Sequence, residues 1–211
     1  MEERIGKKEE VVMLKIDERL NLIFSSVAES RNVLEKMLDV LSEYDFAICG
    51  GVAVAYWVTG REPTSQEIDI LVRKEEVDDV IHSLRKAGCK VGRKGAAEVY
   101  SAPVDCDGFH LDLVVADKSW EREALDSAVG AGDFRVVRPE YLIVMKLYGG
   151  REKDMQDVVL LLDRVDEVKV KRLVQKHLGK DWVEDLEELI EIARSVGGEF
   201  SKGRLGEIGL D

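Results

Sequence analysis

The stretch Glu67-Ile68-Asp69-Ile70-Leu71-Val72 places two carboxylates on either side of one apolar residue. In an extended strand side chains alternate, so Glu67 and Asp69 share one face while Ile68, Ile70 and Val72 take the other. At a rise of roughly 3.3 Å per residue their Cα atoms lie about 6.6 Å apart. Two carboxylates at that spacing can converge on one small cation. Mg²⁺ suits them, because it takes hard oxygen ligands and is held by a few carboxylates together with substrate phosphates. Asp112 stands between Leu111 and Leu113 in a second alternating segment, Phe109 to Val115. If the two strands are neighbours, about 4.8 Å apart, Asp112 joins the pair. Three acids on one face repel one another unless a positive group sits among them. The plainer alternative is the wet face of a half-exposed sheet, where polar residues alternate outward anyway.

A glycine pair, Gly50-Gly51, follows the short apolar run Phe46 to Cys49 and precedes the apolar segment Val52 to Val58. Strand, glycines and helix in that order let backbone N–H groups approach a phosphate, with the positive helix end behind them. Neither G-x-G-x-x-G nor G-x-x-x-x-G-K-[ST] occurs, which argues against a dinucleotide fold and a Walker P-loop.

These residues need a scaffold, and the periodicity supplies one. Val11 to Val27 reads as a helix, and Ser30 can cap a second in which Leu34, Met37, Leu38 and Leu41 form one apolar stripe. Thr59 to Gln66 is loop chemistry with Gly60 and Pro63 as breakers. Ile68 to Val72 and Phe109 to Val115 are strands, with Lys90 to Arg93, Glu98 to Ala102 and Phe134 to Val137 as weaker ones. A helix marked by Val77, Val80, Ile81 and Leu84 follows the first. After Pro139, which suits a first helical turn, four helices follow: Glu140 to Tyr148, Glu152 to Leu162, Val168 to Leu178 and Trp182 to Val196. The glycines from Gly197 to Gly209 suggest a loosely held tail. Strands and helices do not alternate strictly, so the expected class is α+β: a mixed sheet with flanking helices and a helical C-terminal extension. The expected divisions are residues 1–43 as N-terminal helices packing on the core, 44–163 as the site-bearing domain, and 164–211 as the extension and tail.

Composition bounds the function. The 211 residues are 45% apolar, enough for a sizeable core, and carry a net charge of −12, which excludes non-specific DNA coating. No apolar run approaches the roughly 18 residues of a membrane span, and the charged N-terminus has no signal core. Cys49, Cys89 and Cys106 are odd in number, widely spaced and without a Cys-x-x-Cys pair, which reads as reduced thiols in a cytoplasmic protein. Side-chain amides are scarce against 35% charged residues, a bias that hints at a heat-adapted source.

The motifs together resemble the polymerase-beta-like nucleotidyltransferase superfamily, in its minimal and abortive-infection-type, toxin-like branch. The matching residues are Cys49-Gly50-Gly51-Val52-Ala53, Gly60-Arg61, Thr64 and Glu67 to Val72. Pro139 to Leu142, Lys146-Leu147, Arg151, Lys153-Asp154 and Asp157 then extend the match, which covers about residues 44 to 163. The resemblance implies Mg²⁺, with Mn²⁺ as the alternative, bound by Glu67, Asp69 and Asp112, the last also aligning and deprotonating an attacking hydroxyl. It implies a nucleoside triphosphate held by Gly50 and Gly51, and transfer of its nucleoside monophosphate to an unidentified acceptor. That acceptor is a small molecule, a protein hydroxyl or an RNA end, and an antitoxin partner is conceivable. Glu67 departs from the family's usual Asp. The extra methylene shifts the carboxylate by roughly 1.5 Å, and a misplacement near 1 Å can cost about a hundredfold in rate. The alternative function is therefore a catalytically inactive nucleotide-binding or partner-binding module on the same fold.

Several further residues carry weaker claims. Lys146 is the candidate phosphate contact by resemblance, and Arg61 a second, each set against an ordinary ion-paired surface role; Arg151 stays undecided. Lys153 and Asp157 have the spacing of an i, i+4 helix pair, and Asp154 and Asp157 read as structural. His110 shares the expected face of Asp112 but is more simply a neighbour than a ligand. The basic run Arg85, Lys86, Lys90, Arg93 and Lys94 reads as a solvated face.

Overall fold

Four consecutive buried apolar residues, Phe46–Cys49, make strand β1 near the middle of a seven-stranded mixed sheet. The structure is a computed structural model and describes residues 17–27, 38–62, 67–92 and 101–204. Helix α1 (Glu18–Val27) precedes β1, opened by the Asp17 carboxylate accepting from the Arg19 N–H at 2.9 Å. After β1 come helix α2 (Gly50–Trp57), strand β2 (Ile68–Arg73), a 3₁₀ turn (Lys74–Glu76) and helix α3 (Val77–Lys86). Strands β3 (Lys90–Val91), β4 (Ser101–Cys106) and β5 (Phe109–Ala116) lead to helix α4 (Ser119–Asp126). Strands β6 (Val129–Ala131) and β7 (Phe134–Val136) precede four helices: α5 (Pro139–Gly149), α6 (Glu152–Leu162), α7 (Glu167–His177) and α8 (Asp181–Arg204).

The strand order is β3-β4-β5-β2-β1-β7-β6. β2 runs parallel to β5 and β1 parallel to β7, while the other neighbours are antiparallel. This is an α+β mixed sheet with flanking helices, as the irregular alternation of elements requires. Ile48, Ile68, Ile70, Leu111 and Phe134 on one face meet Phe24, Leu38 and Leu41 from the N-terminal helical segments. Leu34, Met37 and the Ser30 cap lie outside the described residues. Helix α2 is apolar all round, as a helix buried on every side must be, and it packs against β1, β2, α5 and α6. Trp57 at its end donates Nε1–H to the Val137 carbonyl at 2.8 Å.

Several expectations need correction. Strand β4 runs through Pro103 to Cys106, although a proline argues against a strand interior. It is tolerated because Pro103 turns its carbonyl toward Gly92 (2.9 Å), beyond the two-residue strand β3, where no ladder N–H is required. Residues 98–100, assigned to the same weak strand, lie outside the described residues. Helix α4 was not foreseen, since Ser119–Asp126 is rich in charge; its buried stripe is Trp120, Ala124 and Leu125. β6 was missed because Val-Gly-Ala is too short to show a period. Helix α8 continues to Arg204, through glycines expected to begin a tail.

The cysteine expectation is overturned. Cys89 and Cys106 form a disulfide with Cα atoms 4.4 Å apart, and Cys49 alone is a free, buried thiol among the described residues. The register explains it. Lys90 pairs with Asp105 in the β3–β4 ladder, which brings the flanking cysteines face to face. The spacing in sequence concealed a hairpin pairing, and the inference of reduced thiols falls with it. No helix among the described residues is long and apolar enough to cross a membrane.

Candidate functional site

Asp69 and Asp112 are register partners on the adjacent parallel strands β2 and β5. Register partners across a ladder project to the same side of the sheet, so the two carboxylates share one face. The next strand on the other side gives the pairing Cys49 with Asp69, which sets the end of β1 and the start of α2 beside the Asp69 carboxylate. Gly50 makes that turn with φ +60°, in the left-handed region that favours glycine. A Cβ on Gly50 would lie 1.8 Å from Asp69 Oδ2, so the position has no room for a side chain. The Gly51 N–H donates to the Asp69 carboxylate. The glycine pair thus grips the central acid of the site directly.

The electrostatics follow from that packing. Burial raises the Asp69 pKa to about 6, and the Asp112 charge pushes the same way, as does Glu67 more weakly; Lys146 and the Gly51 N–H work against them. The Cys49 thiol is also held well above its ordinary value, first by burial and then by Asp69. A concentration of negative charge in a half-buried place is what a cation would relieve. Glu67 is exposed at the entrance to β2, while Asp112 is half-buried within β5. Among the described residues no three His, Cys, Asp or Glu side chains are grouped so as to enclose a metal ion. The Asp69 and Asp112 pair nonetheless has the donor chemistry that Mg²⁺ uses when one or two carboxylates hold it with substrate phosphates.

Lys146, on α5, does not lie on an open surface. It is 7% exposed, and its Nζ donates to Asp154 Oδ1 at 2.9 Å and to Asp157 Oδ2 at 2.8 Å. Arg61, in the connection after α2, closes on Asp157 Oδ1 at 2.6 Å. Arg151 closes on Asp154 Oδ2 at 2.6 Å. Burial disfavours the Lys146 ammonium, yet the hydrogen bonds it donates to Asp157 and Asp154 outweigh it and raise its pKa above the ordinary lysine value. Burial likewise acts to raise the Asp154 pKa, but Arg151 and Lys146 hold it below the usual carboxylate value. The expected Lys153 to Asp157 pair is replaced by this network, with Lys153 exposed. The signal was present in the sequence. Asp154, Asp157, Val158 and Leu161 fall at i, i+3, i+4 and i+7, the inward stripe of α6, so both acids had to be buried and paired.

The remaining candidates separate cleanly. His110 is exposed on β5, two residues before Asp112 and on its face. Thr64 and Pro63 lie outside the described residues, as do Arg93 and Lys94 of the basic run. Arg85, Lys86 and Lys90 are exposed, as a solvated face should be.

No protein-family model matches the chain, and no curated protein matches it. Among solved structures, the chain is similar to ANT(2″)-Ia in complex with adenylyl-2″-tobramycin, at 15% identity and a TM-score of 0.49, covering 78% of this chain and 98% of that one. The Megavirus polyadenylate synthase is similar at 14% identity and a TM-score of 0.48, covering 69% of this chain and 34% of that one. JHP933 from Helicobacter pylori is similar at 14% identity and a TM-score of 0.44, covering 90% and 97%. At this level the likenesses carry no argument about activity, and the functional reading rests on the site itself.

Proposed function

We propose that the chain is a nucleotidyltransferase that moves the nucleoside monophosphate of a nucleoside triphosphate onto a hydroxyl acceptor. The observation that carries this reading is the in-register pairing of Asp69 with Asp112 beside the Gly50-Gly51 turn. Mg²⁺ is the cation whose chemistry fits, held by Asp69 and Asp112 with Glu67 at the entrance. When bound it would neutralise charge on the triphosphate and on the departing pyrophosphate.

The chain's own residues supply the rest. Gly50 brings the first turn of α2 close enough to define one wall of the site, and Gly51 fixes the Asp69 carboxylate through its N–H. Asp112 would take the proton of the attacking hydroxyl, whose oxygen forms a bond to the α-phosphorus as the bond to the bridging oxygen of pyrophosphate breaks; its register pairing with Asp69 supports that role. Lys146 adds positive charge near Asp69, and Arg61 is bonded to α6 through Asp157. Catalysis in such a site is mainly positioning and charge neutralisation, so no histidine is required.

The test is incubation with each labelled nucleoside triphosphate and Mg²⁺ or Mn²⁺, comparing the wild type with Asp69→Asn and Asp112→Asn. Pyrophosphate release that both substitutions abolish supports the enzyme. Metal-dependent nucleotide binding without turnover across small-molecule, protein and RNA acceptors would instead assign the chain to the inactive binding module.

A further inference from the structure

The geometry points to Arg151 as a direct contact for the triphosphate chain, held in position by Asp154; this rests on the nucleotide-binding reading above. Arg151 lies in the turn between α5 and α6, where Gly150 adopts φ +65° and closes α5 in the left-handed region. Its Nε donates to Asp154 Oδ2 at 2.6 Å and its Nη2 to Asp154 Oδ1 at 3.1 Å. This two-point fork fixes the plane of the guanidinium and leaves Nη1 outside it. The carboxylate that holds it is itself immobile. Asp154 is fully buried, accepts from Lys146 at 2.9 Å, and packs against Gly149, where a Cβ would come within 2.9 Å of Oδ2.

An ordinary surface arginine with an i, i+3 partner swings freely, because holding a long side chain costs entropy that an exposed pair barely recovers. Arg151 differs, since its partner cannot move. Its side chain remains 63% exposed although its orientation is set. It also stands within the electrostatic reach of Asp69, whose charge helps to raise the Arg151 pKa after the larger effect of the Asp154 hydrogen bond. A fixed, accessible guanidinium suits phosphate oxygens, which accept planar, paired donors well, and the two helices it joins, α5 and α6, both pack on α2, whose first turn flanks Asp69. Lys146 is enclosed by its two aspartates, so Arg151 is the cation of this network most open to a ligand. Asp154 is a positioning residue acting through it.

Binding of inorganic tripolyphosphate and of ATP, each with Mg²⁺, to the full chain by calorimetry tests this. Arg151→Ala should weaken tripolyphosphate and ATP by about tenfold or more, the value of a charge-assisted hydrogen bond, measured at a temperature where a melting curve shows the variant to be folded. Arg151→Lys, which keeps the charge and loses the fork, should recover only part of that affinity. Asp154→Asn should also weaken tripolyphosphate, and combining it with Arg151→Ala should add nothing further. A purely structural Asp154 would give additive losses, and that result overturns its positioning role. The contact itself is overturned if the wild type does not bind tripolyphosphate, or if Arg151→Ala binds it within twofold of wild type. Tripolyphosphate binding that depends on Arg151, in a protein that ignores ATP, would sustain the phosphate contact while defeating the nucleotide reading.

Discussion

Gly50 and Asp69 are so close that a Cβ at position 50 would fall 1.8 Å from Asp69 Oδ2. The backbone turn and the carboxylate were therefore shaped as one unit. Asp69 cannot shift toward β1, and residue 50 cannot be anything larger than glycine while Asp69 stays where it is.

Gly50→Ala should consequently lose stability by more than a left-handed φ alone explains. Gly60 provides the control, because it has φ +80° with nothing within 4 Å of an added Cβ. Gly60→Ala should cost on the order of 1–3 kcal/mol, the usual penalty of that backbone region. Gly50→Ala should exceed it and also abolish divalent-cation binding, since the clash displaces Asp69. Denaturant melts and cation titrations of the two variants side by side decide this; equal losses with cation binding intact would count against the contact.

The pH dependence has a definite sign. Asp69 has a pKa of about 6 in the folded chain against 3.8 for an unperturbed aspartate, so the folded state binds this proton more tightly than the unfolded state. Stability is then favoured below pH 4 and falls as pH rises from about 4 to about 6, by at most about 3 kcal/mol in the metal-free protein. Asp69→Asn removes the penalty, so it should raise the melting temperature at pH 8 and leave it nearly unchanged at pH 4. Divalent cations should bind more weakly as pH falls below 6, where protons compete for the same oxygens. A stability difference that does not vary with pH would refute this account.

The Cys89–Cys106 disulfide closes a loop with a sequence separation of 17. A bridge of that span contributes about 3 kcal/mol in the chain-entropy account. Reductant, or Cys89→Ser with Cys106→Ser, should lower the melting temperature by several degrees. The denatured oxidised protein should titrate one thiol, and the reduced protein three. Asp112 should keep its place in either form, because β5 pairs with β2 along six residues independently of β3.

How far the sequence disclosed the molecule depends on the range of the interactions involved. Glu67, Asp69 and the alternation of β2 are local facts, and so is the turn at Gly50-Gly51. The partnership of Asp69 with Asp112 was an expectation conditional on the two strands being neighbours, and the parallel register satisfies it. The Cys89–Cys106 pairing depends on the β3–β4 register, which no local pattern specifies. The extent of β4 was hidden as well, because it continues through Pro103, whose carbonyl accepts from Gly92 beyond the short strand β3. In α6 the structural reading of Asp154 and Asp157 holds, but the partner was misassigned: both acids hold inward positions of a helical stripe, so Asp157 pairs with Lys146 and Arg61 rather than with Lys153. Buried acids at core positions demand buried cations, and Lys146 on the neighbouring helix is the consequence.

That network yields a sharp contrast between two residues with equal claims on sequence alone. Asp157 has the i, i+4 spacing to Lys153, but it is bonded to Lys146 at 2.8 Å and to Arg61 at 2.6 Å, with its side chain 2% exposed. Removing it leaves the Lys146 ammonium with Asp154 alone and releases Arg61. Asp157→Ala should therefore cost about 3–5 kcal/mol, the price of breaking a buried ion pair from one side. Lys153→Ala touches only an exposed side chain and should stay within about 0.5 kcal/mol of wild type. Lys146→Met combined with Asp157→Leu should cost less than the sum of the single changes, because the pair is removed together and Asp154 retains Arg151. Chemical denaturation of the five variants (Lys153→Ala, Asp157→Ala, Lys146→Met, Asp157→Leu and the double) measures each term. If Lys153→Ala and Asp157→Ala lost equal stability, the helix-surface pair would be the real one and the buried network would have no energetic weight.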